Sequence, residues 1–102
     1  MPETQNVHFS PEDIKALRKR TLLNQRDFAD LFDVSQVAVS EWERGLSTPT
    51  SPRMAAMQQL SECLDELDEP RAKRWIKELL DVAATAGIYM VLSTLFGGPK
   101  PM

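Results

Sequence analysis

The sequence predicts an all-α protein: a compact helical bundle that ends in an apolar helical extension. Three observations carry this expectation. Helix-start signals recur at short intervals, at Ser10-Pro11 with Asp13, at Asn24 with Asp27, at Ser35 and at Ser51-Pro52, and after each one apolar residues return every three or four positions. The 102 residues, 42% of them hydrophobic, suffice for one domain with a modest core and are too few for two. No internal repeat or low-complexity tract divides the chain.

Residues 1–8 are polar and without apolar period, and are read as a flexible arm. The first helix opens with Ser10 as cap, Pro11 at the first helical position and Asp13 as the acid of a capping box, with Phe9 placed to staple to Ile14. Ile14 and Leu17 mark its inner face, and Lys15, Arg18, Lys19 and Arg20 crowd its last turns, where cations suit the helix dipole. In the second helix Asn24 caps, Leu23 staples to Phe28, and Phe28, Leu31 and Phe32 form the buried stripe beside the small Ala29. Asp33-Val34 breaks it. Ser35 caps a third helix whose Val39 and Trp42 share one side and which Gly45 ends in a left-handed conformation.

Leu46 to Thr50 is read as a turn restricted by Pro49, and Ser51-Pro52 begins a fourth helix with Met54, Met57, Leu60, Leu64 and Leu67 inward. Its acidic end, Glu62, Asp65, Glu66, Asp68 and Glu69, is a solvated face closed by Pro70. Residues 9–69 thus form the main domain and 70–96 a C-terminal dimerisation or capping segment, helical as far as Ala86, beyond which Ile88 to Leu92 also suits a strand. Residues 97–102 read as a disordered tail.

Two short helices joined by a tight turn and braced by a first helix make the helix-turn-helix arrangement, whose second helix enters the DNA major groove. With Val39 and Trp42 inward, Gln36, Val37, Ser40, Glu41 and Arg44 face out. Gln36 suits adenine, Val37 a thymine methyl, Ser40 either donors or acceptors, and Glu41 the amino group of cytosine, while Arg44 suits a phosphate.

From Ile14 to Leu60 the chain resembles the Cro/CI-type (XRE) family of phage repressors and bacterial regulators. The resemblance rests on Gln25, Ala29, Val34-Ser35, the ending Val39-Ser-Glu-Trp-Glu-Arg-Gly45 and Thr48-Pro49-Thr50. It implies that Gln25 anchors a phosphate and supports the first residue of the recognition helix, that Gln36 is that residue, and that Val37, Ser40 and Glu41 set specificity. Asp33 stands where the family often has glycine. Phosphate contacts are expected from Gln25, Arg26, Ser35, Arg44 and Thr48.

The net charge of −3 excludes a protein that coats nucleic acid through bulk electrostatics. Binding by one copy is therefore expected to be weak, and a homodimer on an inverted-repeat operator is the natural remedy. Trp75, Ile76, Leu79, Ala83, Gly87 and Met90 form the stripe expected at its interface, with Ala83 and Gly87 four apart. Val82 to Phe96 carries no charge but is shorter than the roughly twenty residues of a membrane span, so no membrane partner is expected.

One cysteine, Cys63, and one histidine, His8, offer neither an internal disulfide nor an ordinary zinc site, and no nucleophile and base are paired. Neither enzyme activity nor cofactor nor metal is expected, and Cys63 reads as a core residue. No secretory signal is seen at the N-terminus, which favours a cytoplasmic setting. The leading expectation is a dimeric transcriptional regulator, a repressor, that reads double-stranded DNA. Two others stand beside it: an antitoxin of the same family that also binds a toxin, and a protein-interaction adaptor that keeps the fold without reading DNA.

Overall fold

The computed structural model describes residues 8–87 and Val91. Five helices follow one another, α1 (Pro11–Thr21), α2 (Gln25–Leu31), α3 (Gln36–Arg44), α4 (Ser51–Asp65) and α5 (Glu69–Ala86), with no strand among the described residues. The expected arm 1–7, the tail 97–102, Met90 and the helix-or-strand question at Ile88 and beyond lie outside the described residues, apart from His8, which is exposed, and Val91, which is helical.

Local chemistry places the helix ends. Ser10 and Asp13 make the full reciprocal capping box, Asn24 accepts from the Asp27 amide, and Ser35 accepts from the Ala38 amide. Gly45, at φ 77°, stops α3 in the left-handed region, where glycine carries no steric penalty. One expectation needs correction. Pro70 does not merely close the acidic run: Asp68 caps α5 by accepting from the Arg71 amide, and Pro70 sits in the first turn of that helix.

The C-terminal segment is also less separate than its composition implied. α2 packs on both α3 and α5, while α1 lies against α3, α4 and α5. A single core runs from Ile14 and Leu17 through Phe28, Leu31, Phe32, Val39, Met57 and Leu60 to Trp75, Ile76 and Leu79. Phe28 and Phe32 are fully buried, with ring centroids 4.9 Å apart. The expected boundary between residues 69 and 70 therefore falls inside α5, and the residues on its two sides share one core. Cys63 is buried in that core, and burial together with the charges of Glu66 and Glu62 raises its thiol pKa.

Candidate nucleic-acid interface

α3 divides cleanly into two sides. Val39 and Trp42 are buried against the bundle. At about 100° per residue, Gln36, Val37, Ser40, Glu41 and Arg44 occupy an arc of about 140° on the other side. Gln36, Val37 and Arg44 are exposed, and Ser40 and Glu41 are half-buried. Val37 keeps 63% of its surface in solvent and so presents its methyl groups at the start of α3.

Two of the outward polar groups have partners within the chain. The Ser47 hydroxyl lies 3.5 Å from a carboxylate oxygen of Glu41, and Arg44 Nε donates to the Ser40 carbonyl at 3.3 Å. Arg44 as a whole is exposed. Ser35 Oγ accepts from the Ala38 amide at 3.1 Å, and Arg26 and Thr48 are exposed.

Gln25 sits differently from what the resemblance implied. Its amide Nε2 donates to Glu43 Oε1 at 3.2 Å, which holds it against the C-terminal half of α3 instead of Gln36. Glu43 is itself the centre of a half-buried polar knot. Arg18 donates from Nε to Oε2 at 2.6 Å and from Nη2 to Oε1 at 3.1 Å, while its Nη1 reaches the Leu23 carbonyl in the loop before α2. Burial alone pushes the Glu43 carboxyl up; the hydrogen bonds from Arg18 and Gln25, with the charges of Arg18 and Lys15, overcome it and hold the group below its ordinary value.

The turn between α2 and α3 is held from outside the motif. Asp33 adopts φ 55°, the left-handed conformation that a glycine at this place would take without strain. Arg53, in the first turn of α4, donates from Nε to the Phe32 carbonyl at 2.8 Å and from Nη2 to the Asp33 carbonyl at 3.2 Å.

The sequence profile of the family described as helix-turn-helix matches residues 14–69. The chain belongs to the helix-turn-helix family. Within it the chain is of the XRE type. Among curated proteins, it is 38% identical over 61 residues to the HTH-type transcriptional regulator DicA of Escherichia coli (strain K12), an alignment that covers 60% of this chain and 44% of that protein. The chain thus spans less than half the length of this relative. No solved structure matches it significantly.

The helix-turn-helix geometry accounts for the outward residues named from the sequence, and it relocates three others. Trp75, Ile76 and Leu79, read from their stripe as a dimer interface, are buried in the chain's own core at 7%, 3% and 1% exposure. The stripe arises because α5 covers α2, which periodicity alone does not distinguish from covering a second copy. Ala83 and Gly87 are half-buried, and Met90 lies outside the described residues. Two residues escaped the sequence reading altogether. Glu43 had a signal, since it falls on the inner side of α3 beside Val39 and an inward acid calls for a cation; Arg53 had none, as its bonds span some twenty residues of chain.

Proposed function

We propose that this helix-turn-helix chain is a sequence-specific regulator that lays α3 in the DNA major groove. Gln36, Val37, Ser40 and Glu41 read base edges, and Gln25, Arg26, Ser35, Arg44 and Thr48 meet the phosphates on either side. The single observation that carries this reading is the division of α3: one side is locked by Val39, Trp42 and Glu43, and the other presents an amide, a branched apolar group, a hydroxyl and a carboxylate together. Val37 on that side suits a thymine methyl.

Few of the proposed phosphate contacts are charged. Two copies on an inverted repeat, with recognition helices about 34 Å apart, make good the affinity that one copy lacks. With Trp75, Ile76 and Leu79 inside the core, the second copy is left the end of α5, where Ala83 and Gly87 continue the same face but are only partly buried. Occupancy of such an operator by a dimer represses by excluding polymerase, in the cytoplasm.

Selection of genomic fragments by the purified protein tests this reading. The expected result is an inverted repeat whose binding is lost on Gln36→Ala and whose preferred bases change on Glu41→Ala. Equal, salt-sensitive binding to every duplex, or no binding at all, rejects it.

A further inference from the structure

α2 ends badly on its own account. Its last turn holds no basic residue, and Asp30 and Asp33 put negative charge at the negative end of the helix dipole. Asp33 is also held at φ 55°, the left-handed region that glycine occupies without steric penalty and a side chain does not. Yet this segment decides where α3 begins, because Ser35, the cap of α3, follows Asp33 by two residues.

Arg53 supplies from α4 what α2 lacks. Its guanidinium is shared between the Phe32 carbonyl at 2.8 Å, the Asp33 carbonyl at 3.2 Å and the Thr50 hydroxyl at 3.4 Å. The Phe32 carbonyl, at the C-cap of α2, is one that the end of a helix leaves without an internal partner, and the Asp33 carbonyl follows it in the turn. Thr50 adds an independent sign of the same arrangement. It is the N-cap of α4, but it makes no cap hydrogen bond, unlike Ser10, Asn24, Ser35 and Asp68 at the other four helices. Its hydroxyl lies against Arg53 instead.

We propose that Arg53 is a positioning residue for the reading face of α3: it ties the end of α2 to the start of α4 and so holds the left-handed Asp33 turn from which α3 departs. The inference rests on the DNA-reading function proposed above and goes beyond it, since Arg53 stands in α4, outside the two helices of the motif. Its chemistry also explains how this chain carries aspartate at a turn position where glycine is unstrained.

Asp33→Gly removes both the strained side chain and the misplaced charge, so it makes the turn independent of Arg53. The test compares wild type, Arg53→Met, Asp33→Gly and the double variant, all in the full chain, on the duplex recovered by fragment selection and on a scrambled duplex of the same length. Arg53→Met is expected to weaken binding to the recovered duplex about tenfold and to the scrambled duplex less than twofold, and Asp33→Gly is expected to restore most of the loss. An equal loss on both duplexes, or no rescue, overturns the proposal. Hydrogen exchange provides a readout without DNA. The Val34 amide, which donates to the Ala29 carbonyl across the turn at 3.1 Å, exchanges at least fivefold faster in Arg53→Met, while the Leu79 amide in α5 is unchanged. If no fragment is selected by the wild-type protein, the DNA-reading function fails, and unchanged Val34 exchange still rejects the role of Arg53 by itself.

Discussion

Arg18 of α1 grips both carboxylate oxygens of Glu43 on α3, at 2.6 and 3.1 Å, with only 15% and 5% of the two side chains left to solvent. The pair helps to fix the rotation of α3 about its own axis, because Glu43 lies on the side of α3 next to Val39. Removing one member strands the other. Arg18→Met or Glu43→Ala is expected to lower the unfolding free energy by about 3 kcal/mol, the low end for breaking a buried pair, since Arg18 keeps some contact with water. The double variant with Met and Leu is expected to lose less than either single change. Urea denaturation of the three variants checks this, and a single-variant loss below about 1 kcal/mol contradicts it.

The same carboxylate makes stability depend on pH. Glu43 titrates lower in the folded chain than in the unfolded one, so between the two values the unfolded state binds more protons and stability rises with pH. The contribution is complete above the ordinary glutamate range, about pH 5, and is lost as pH falls through the depressed folded value. Asp13 and Asp68 act with the same sign: the backbone amides of Ser10 and Arg71 respectively hold them low. Unfolding free energy is therefore expected to be flat from about pH 6 to 8 and to decline below about pH 5. Glu43→Gln is expected to be less stable at neutral pH and to show a shallower decline. Parallel declines in the two proteins contradict the assignment.

The parts of the molecule that could be read from sequence are those fixed by neighbours in the chain. Ser10 with Asp13, Asn24, Ser35 and Gly45 act within one turn of where they stand, and each lies where its spacing placed it. The two sides of α3 follow from periodicity in the same way. What was not legible depends on packing between distant segments. Trp75, Ile76 and Leu79 have the stripe of an interface helix, and only the three-dimensional position of α5 against α2 shows whose core they enter. Gln25 had several polar partners open to it, and the position of Glu43 decided among them.

Leu22 offers a test of backbone strain away from the interface. It ends α1 at φ 65° with 62% of its surface exposed, so its side chain contributes little burial against the left-handed penalty. Leu22→Gly is expected to stabilise the fold by about 0.5–1 kcal/mol after the added freedom of the unfolded chain is counted. For a domain of this size that corresponds to a rise in melting temperature of about 2–8 °C. Gly45→Ala, at φ 77°, is expected to move it the other way by a similar amount. A lower melting temperature for Leu22→Gly contradicts the strain argument.

The burial of the α5 stripe within its own chain changes how dimerisation has to be tested. Cutting the chain after Glu69 removes Trp75, Ile76 and Leu79 from the core, so the shortened protein is expected to lose its cooperative thermal transition and not merely its partner. Point substitutions separate the two roles. Leu79 is 1% exposed, and Leu79→Ala is expected to cost about 3 kcal/mol. Because Leu79 packs inside the core of its own chain, that cost is expected to be the same at low and high protein concentration. Ala83→Arg, at a partly buried position where α5 meets the edge of the core, is expected instead to keep a cooperative thermal transition and to shift sedimentation of the proposed dimer to monomer. If Leu79→Ala destabilises the protein only at high concentration, α5 serves the second copy and not the core of its own chain. If Ala83→Arg leaves a dimer intact, the second copy docks elsewhere.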